Sequence, residues 1–409
     1  MVLAERAYGV WLNKVFVGYI HQRGDHCRFA LHPSYAEDPG RPVLGLAFEQ
    51  DLAKVHSSNL RLPPWFSNLL PEGRLRTWMA ESRAVPEQRE MELLGEIGHD
   101  LPGAVRVMPV PPQDVRGIPD LVVPEVFRDG GGTAVTRGRF SLAGVQLKLS
   151  MVAAGDRLVV PLGGAVGDWI VKFPDAALPD LPVVEHATME LARRAGIDVP
   201  ETKLLTRDEL PDTPDSLWTG TEDVAFAIRR FDRQASGPLV HIEDLAQVKN
   251  VWPDRKYEGS YETLARLIHR GHDEPSLFEM ARRLAFNVLV DNSDAHLKNW
   301  SLRYADTRRP VLSPAYDVVS VAPYEQFGGE TALKLGGSRR ADQVRLRTFE
   351  GLARRTDIVA GAMEDQVGLV VERAVQGWPH VVESHLRLHP RVRSAMGEVI
   401  TDRARSLRA

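Results

Sequence analysis

The pattern of hydrophobic residues changes partway along the 409-residue chain, and this change limits its possible folds more than any other feature. Between residues 137 and 233, strand-like segments such as Asp168–Pro174 and Val224–Phe231 dominate. Beyond residue 240, apolar residues recur at helical spacing, as in Tyr261–His269 and Ser276–Val290. A β-rich part followed by a helical part predicts a two-lobed α+β fold with a functional cleft between the lobes.

The first hundred residues and their connection to the rest carry different signals. Two apolar runs flank Asn13 and Lys14 within Tyr8–Ile20, which predicts a β-hairpin. The proline- and glycine-dense stretches Pro109–Pro112 and Gly130–Thr133 are typical of connections. We therefore predict a β-containing N-terminal subdomain over residues 1–108, a linker over 109–136, a first lobe over 137–233 and an all-helical second lobe over 234–409.

Composition excludes several classes of protein. A formal net charge of −4 argues against wrapping of nucleic acid by this chain alone. The single cysteine, Cys27, excludes an intrachain disulfide and a cysteine-based zinc cluster. The chain has no apolar run near the ~20 residues of a membrane span, and its start lacks the pattern of a signal peptide. The sequence thus predicts a cytoplasmic protein without a membrane partner.

The most informative chemical segment is Asn287–Ser301, where an apolar helix runs directly into polar and ionisable residues. Asp294 and Asn299 are five residues apart, which is the spacing of the catalytic loop in protein kinases. There the aspartate accepts the proton of the acceptor hydroxyl, and the asparagine binds Mg²⁺. The spacing alone is weak evidence and favours a helix N-cap or a turn cluster.

A second acidic residue lies at a suitable distance along the chain. Asp317 follows a short apolar stretch, 18 residues beyond Asn299. Phosphoryl transfer requires a further hard oxygen ligand to hold Mg²⁺ against the phosphates of the nucleotide, and Asp317 is a candidate. The alternative is an aspartate in a turn that follows proline.

A lysine stands within an otherwise apolar strand. Lys172 is costly to bury unless it is paired, and Glu185 follows 13 residues later at the start of a predicted helix, Val183–Ala195. Protein kinases pair a strand lysine with a helix glutamate in this order to position the phosphates of ATP. The alternative is a lysine on an edge strand that points into solvent.

The order of the motifs favours a kinase. Upstream of Lys172, the segment Phe140–Leu149 contains small residues that enter a strand, where backbone N–H groups could meet phosphate. Taken alone, this segment favours an ordinary β-turn. Downstream, Ile228–Arg233 ends a strand where a hinge between lobes would lie. Loop, lysine, glutamate, hinge, Asp294/Asn299 and Asp317 occur in the order of a kinase, which chance does not readily produce.

The same residues resemble the HipA family, the kinase toxins of bacterial toxin–antitoxin modules, over nearly the whole chain. The most specific matching segment is Asp294–Asn299. The other matching segments are Asn68–Gly73, Ser141–Lys148, Ile170–Pro174, Ile228–Arg233, His241–Gln247 and Pro314–Val318.

The resemblance implies a protein-kinase-like fold of the HipA type and a serine/threonine protein kinase that uses ATP and Mg²⁺. It assigns catalysis to Asp294, metal binding to Asn299 and Asp317, and autophosphorylation to Ser141. Together with the motifs above, it gives as nucleotide-site residues Ser141, Ala143, Gly144, Val145, Gln146, Lys148, Lys172, Glu185, Arg229, Arg230, Phe231, His296 and Lys298.

The resemblance also implies partners. Members of the family phosphorylate a translation component, typically an aminoacyl-tRNA synthetase, and so slow growth and favour persistence. A small helix-turn-helix antitoxin of the HipB type restrains them and binds operator DNA, so this chain would meet DNA through the antitoxin. The arginine-rich stretch Leu386–Ala409 is expected to be a solvated helix face.

Two other functions stay open at this point. One is a catalytically silent scaffold that organises the antitoxin, although every expected catalytic position is filled. The other is a kinase of small molecules or lipids on the same fold, because acceptor specificity depends on surfaces outside the motifs. The segment His241–Gln247 fits the protein-kinase toxins better.

Overall fold

The computed structural model describes residues 5–110, 148–154, 157–159, 167–211, 213–234 and 236–408. Residues 5–110, hereafter the N-terminal subdomain, form an antiparallel sheet with the strand order β4-β3-β2-β1-β5. Its elements are β1 (Glu5–Leu12), β2 (Val15–Arg23), β3 (His26–Leu31), α1 (Pro33–Ala36), α2 (Leu46–Glu49), β4 (His56–Asn59), α3 (Pro64–Ser67), α4 (Gly73–Arg83), α5 (Glu90–Ile97) and β5 (Val105–Val110). The predicted hairpin is confirmed, and Asn13 takes the left-handed backbone conformation at its turn.

The first lobe is a second antiparallel sheet that carries one long helix. Its elements are β6 (Lys148–Ala154), β7 (Arg157–Val159), β8 (Trp169–Lys172), α6 (Leu181–Arg194), β9 (Thr202–Thr206) and β10 (Val224–Arg229). The strand order is β7-β6-β8-β10-β9, so β8 lies in the middle of the sheet. The predicted helix is confirmed as α6, which buries Ala187 and Leu191 and is followed by Gly196 at a φ of +85°.

The second lobe contains half of the α-helices in the described residues, including the longest. Its elements are β11 (His241–Asp244), α7 (Leu245–Val248), α8 (Tyr261–His269), α9 (Glu274–Leu289), β12 (Ser301–Tyr304), β13 (Val311–Leu312), β14 (Glu330–Leu335), β15 (Ser338–Arg340), α10 (Glu350–Thr356), α11 (Ala360–His385) and α12 (Pro390–Arg408). One core extends from α6 through α9 and α11 to α12 and joins the two lobes. No helix within the described ranges is both long enough and apolar enough to cross a membrane.

The prediction of an all-helical second lobe is wrong. Strands β11, β12 and β13 form a three-stranded antiparallel sheet, and β14 pairs with β15. Hydrophobic periodicity did not predict strand β11, because its two buried side chains, His241 and Glu243, are polar. Its partner β12 lies more than 50 residues further along the chain, so no local turn signals the pairing.

The polar residues of β11 and α7 dock the N-terminal subdomain onto the second lobe. The His241 ring nitrogen Nε2 lies 2.7 Å from the carbonyl oxygen of Leu44. Glu243 accepts hydrogen bonds from the Leu46 backbone N–H (3.0 Å) and from Trp65 Nε1 (3.1 Å). The segment His241–Gln247 therefore serves at an interface between parts of the chain.

Burial of Glu243 among neutral donors predicts a pH-dependent contribution to stability. Burial raises the pKa of Glu243 from 4.5 to about 7, although hydrogen bonds from Tyr304 and from the N-terminal subdomain oppose it. Between these two values the folded state binds more protons at this site than the unfolded state, so the contribution of Glu243 falls as pH rises. Burial lowers the pKa of His186, His241 and His296 to about 4, which acts in the opposite direction.

The Glu243→Gln variant isolates this effect from the histidines. We expect the difference in Tm, variant minus unaltered protein, to become more positive as pH is raised from 5 to 8. Thermal melts across that range measure it. A difference that is constant with pH, or that falls, would contradict the assignment of Glu243.

Candidate active site

A cleft of about 660 Å³ lies between the two lobes, and the N-terminal subdomain forms part of its wall. The structure brings most of the predicted site residues together here. Those that line the cleft are Lys148, Lys172, Glu185, Arg229, Arg230, Phe231, Asp294, His296, Lys298, Asn299 and Asp317. Ser141, Ala143, Gly144, Val145 and Gln146 lie outside the described residues, and their roles stay predictions.

The predicted pair of Lys172 and Glu185 is present. Lys172 ends the central strand β8 and is 6% exposed, so the solvent-facing alternative is wrong. Its Nζ lies 2.5 Å from Glu185 Oε1 on α6. Burial alone would lower the pKa of Lys172, but Asp317 and Glu185 outweigh it and raise that pKa. The lysine is therefore a fixed cation at the cleft wall.

Asp317 completes this charge cluster from the second lobe. It has a φ of +53° and forms an ion pair with Lys172. Burial would raise the pKa of Asp317, but Lys172 and Lys148 hold it well below its usual range. Asp317 thus lies in a turn, as the alternative interpretation expects, and it also lines the cleft with an ionised carboxylate.

Lys148 is a second buried cation beside Lys172. It begins β6 and lies opposite Lys172 in the strand register. Burial lowers the pKa of Lys148, and the neighbouring Lys172 acts in the same direction, against Asp317. Two lysines thus face two carboxylates, Asp317 and Glu185, in one buried cluster, and both lysines line the cleft where an anionic ligand would meet them.

The predicted catalytic loop, Asp294–Asn299, follows α9, and Asp294 lines the cleft. The Asp294 side chain is 53% exposed and accepts a hydrogen bond of 2.6 Å from Tyr257 Oη. Asn299 Nδ2 donates to the Asp294 carbonyl oxygen at 2.7 Å, so the two predicted residues are joined directly. His296 is buried beside them, with its Nε2 3.8 Å from Asp294 Oδ1.

Several polar groups of the predicted hinge segment, Ile228–Arg233, form hydrogen bonds within the protein. The backbone N–H of Arg229 donates to the carbonyl oxygen of Glu201, and that of Arg230 donates to the carbonyl oxygen of Asp168. The guanidinium of Arg230 turns away to Asp232 and Asp100. Of the predicted nucleotide-site residues in this segment, Arg229 and Arg230 therefore have their backbone N–H groups bonded within the protein, and Phe231 lines the cleft beside them.

The N-terminal subdomain contributes side chains to the cleft, which the sequence did not predict. Glu72 forms ion pairs with Lys298 (2.7 Å) and Lys256 (2.6 Å), and Lys298 also donates to the carbonyl oxygen of Asn68 (3.0 Å). Burial would raise the pKa of Glu72, but Lys298 and Lys256 hold it at about 2. The available signal was weak: Lys298 requires a carboxylate partner if it is buried, but the nearby Asp294 and Asp291 were equally plausible partners in the sequence.

The fold and the site define the class: a two-lobed, protein-kinase-like protein with a charged interlobe cleft and an added N-terminal subdomain. A solved structure of HipA from Shewanella oneidensis, in complex with HipB and its operator DNA, has the same fold. Its TM-score is 0.74 at 20% identity, and the match covers 97% of each chain.

Comparison of sequences then gives the family. The model of the HipA N-terminal domain matches residues 8–108, and that of the HipA-like C-terminal domain matches residues 140–378. The protein named "Putative kinase Y4dM" of Sinorhizobium fredii is 38% identical over 86% of this chain and 85% of its own length. The serine/threonine-protein kinase toxin HipA of Shewanella oneidensis is 26% identical over 79% of this chain and 77% of its own. This chain belongs to the HipA family.

Proposed function

We propose that this chain is an ATP- and Mg²⁺-dependent serine/threonine protein kinase, the toxin of a toxin–antitoxin pair. The observation that carries the proposal is that a buried lysine–carboxylate cluster and an exposed aspartate line the same cleft. Lys172, held between Glu185 and Asp317, lines the cleft together with the exposed carboxylate of Asp294. Fixed cations for phosphate and a free carboxylate for an acceptor are what phosphoryl transfer requires.

Asp294 acts as the base in the proposed reaction. The oxygen of the acceptor hydroxyl forms a bond to the γ-phosphorus of ATP, and the bond from that phosphorus to the bridging oxygen breaks to release ADP. The hydroxyl proton passes to the Asp294 carboxylate. Tyr257 orients this carboxylate by donating to its Oδ1, which leaves Oδ2 to face the acceptor.

Asn299 and Asp317 would hold Mg²⁺. The fit rests on donor chemistry: Asp317 supplies an ionised carboxylate, and Asn299 has its Nδ2 bonded to Asp294, which leaves its amide oxygen as a ligand. When bound, the ion would neutralise charge on the phosphates. Lys172 and Lys148 supply the fixed positive charge that this chain itself contributes.

The biological setting follows from the family. A HipA of this fold is found with HipB and operator DNA, which supports a small DNA-binding antitoxin as partner and an indirect contact with DNA. We propose a translation component, an aminoacyl-tRNA synthetase, as the acceptor in the cytoplasm, with autophosphorylation at Ser141 as the means of silencing.

Incubation of a bacterial lysate with the purified chain, ATP and Mg²⁺, followed by phosphosite mapping, tests this assignment. We expect new phosphoserine or phosphothreonine on a translation protein. Phosphate on a metabolite or lipid instead would move the function to a small-molecule kinase. Absence of any acceptor, together with tight binding of an antitoxin, would favour a silent scaffold.

The Lys172→Ala variant is expected to weaken ATP binding by about 10- to 100-fold, because it removes a charged hydrogen bond to phosphate. Titration calorimetry with a non-hydrolysable ATP analogue measures this. Lys334→Ala, which removes an exposed lysine of β14, is the control and should bind as the unaltered chain does. Equal affinity in both variants would exclude a phosphate contact by Lys172.

A further inference from the structure

We infer that Glu72 is a positioning residue for Lys298, so that phosphoryl transfer depends on a carboxylate supplied by the N-terminal subdomain. This inference deepens the proposed function and rests on it. Glu72 lies directly before α4, far from the catalytic loop in sequence, yet it lines the same cleft as Asp294. The active site is therefore incomplete without the N-terminal subdomain.

The N-terminal subdomain holds the ammonium group of Lys298 at two points. The Lys298 side chain is 5% exposed, and its Nζ lies 2.7 Å from Glu72 Oε1 and 3.0 Å from the carbonyl oxygen of Asn68. A buried ammonium group is stable only when a carboxylate and further acceptors surround it. Without these partners, Lys298 would have no fixed place beside Asp294 and Asn299.

The second cation on Glu72 explains how Lys298 can be released to a ligand. Lys256 Nζ lies 2.6 Å from Glu72 Oε2, so this carboxylate serves two lysines at once. If Lys298 turns towards an incoming γ-phosphate, Glu72 keeps Lys256 and is not left as an uncompensated buried charge. Replacement of Glu72 by phosphate as the partner of Lys298 therefore costs little free energy. Lys172, shared between Glu185 and Asp317, shows the same arrangement with the charges reversed.

Asn68 fixes this wall against the second lobe and carries a buried acceptor without a partner. The residue is 2% exposed and lines the cleft, and its Oδ1 is buried without a hydrogen-bond partner. Its Nδ2 donates to the carbonyl oxygens of Pro64 (2.9 Å) and Val251 (2.7 Å), which fixes the side chain between the N-terminal subdomain and the second lobe. Buried acceptors are rarely left unpaired in the working state of a protein.

The Glu72→Gln variant of the full chain tests the inference. Two quantities are measured: the affinity for a non-hydrolysable ATP analogue with Mg²⁺, and the rate of label transfer from γ-labelled ATP at saturating nucleotide. We expect the rate to fall about 10- to 100-fold, since misplacement of a positioned group has costs of this size. Affinity is expected to stay within about threefold, because Lys172 and Lys148 remain. Glu72→Asp, which keeps the charge, should recover part of the rate.

Glu49→Gln is the matched control. Glu49 lies in the same subdomain and binds Arg41 through both carboxylate oxygens at 2.7 Å, but it does not line the interlobe cleft. The same substitution there should leave rate and affinity unchanged. If Glu72 served only the fold, Glu72→Gln and Glu49→Gln would have similar transfer rates and nucleotide affinities.

A double-mutant cycle gives the decisive readout. If Glu72 acts through Lys298, Glu72→Gln should add no further loss of rate in a Lys298→Gln background. Losses that multiply would overturn the inference, as would a Glu72→Gln rate equal to that of the unaltered chain. If Glu72→Gln does not fold, Lys256→Gln replaces it: Glu72 then holds Lys298 alone, and transfer should slow without loss of affinity. A normal rate in that variant would also overturn the inference.

Two different results distinguish failure of this inference from failure of the function on which it rests. No transfer by the unaltered chain to itself, to water or to a lysate protein would remove the proposed function and the inference with it. Transfer by the unaltered chain, combined with normal transfer by Glu72→Gln, would remove the inference alone.

Discussion

The Asp294→Asn variant is expected to transfer phosphate about 10²- to 10⁴-fold more slowly than the unaltered chain, the range for loss of a general base. The substitution removes the proton acceptor but keeps the shape of the side chain. Tyr257 Oη can still donate to the remaining oxygen, and the Asn299 side chain donates to the backbone carbonyl oxygen of residue 294, which the substitution does not touch. Fold and nucleotide affinity should therefore be preserved.

A rate measurement at saturating ATP and an affinity measurement with a non-hydrolysable analogue together check this prediction. Asp365→Asn, on the exposed face of α11, is a suitable control and should leave both quantities unchanged. A variant that transfers phosphate at the normal rate would show that Asp294 is not the base. Loss of rate that is fully explained by loss of affinity would place Asp294 in nucleotide binding instead.

The largest effect on stability is expected from Asp232→Ala. Asp232 is 4% exposed and lies 2.8 Å from both Arg230 and Arg233, and it accepts the backbone N–H of Gly103 at 2.7 Å. Asp100 also contacts both arginines, but it cannot neutralise two buried guanidinium groups alone. Removal of one partner from such a network costs about 3–5 kcal/mol.

Urea denaturation of the two proteins measures the free energy of unfolding. Asp215→Ala is the matched control, because Asp215 pairs with Arg207 while 93% exposed, and exposed pairs contribute little. We expect a large drop in the denaturation midpoint for Asp232→Ala and no measurable change for Asp215→Ala. Similar midpoints for Asp232→Ala and the unaltered chain would mean that the network does not stabilise the hinge.

The sequence predicted those features that depend on local patterns. Helix α6 follows from apolar spacing and from Gly196 at its end. The pairing of Lys172 with Glu185 was also predictable, since a lysine in an apolar strand requires a partner and the next helix supplies one.

Features that join distant parts of the chain were not predictable in this way. Strand β11 buries His241 and Glu243, and their partners lie nearly 200 residues away in the N-terminal subdomain. The contact of Glu72 with Lys298 likewise spans more than 200 residues. A single sequence shows that a buried charge needs a partner, but it does not show which of many distant acids provides it.

The central claim is that this cleft transfers phosphate from ATP, with Asp294 as the base. The most direct test is incubation of the purified chain with γ-labelled ATP and Mg²⁺, alone and with a bacterial lysate, in parallel with Asp294→Asn, followed by mapping of labelled residues. We expect phosphoserine or phosphothreonine, Ser141 included, on the unaltered chain, labelling about 10²- to 10⁴-fold slower with the variant, and equal binding of ATP by both. Bound ATP without transfer by either protein, or equal labelling of both, would contradict this claim.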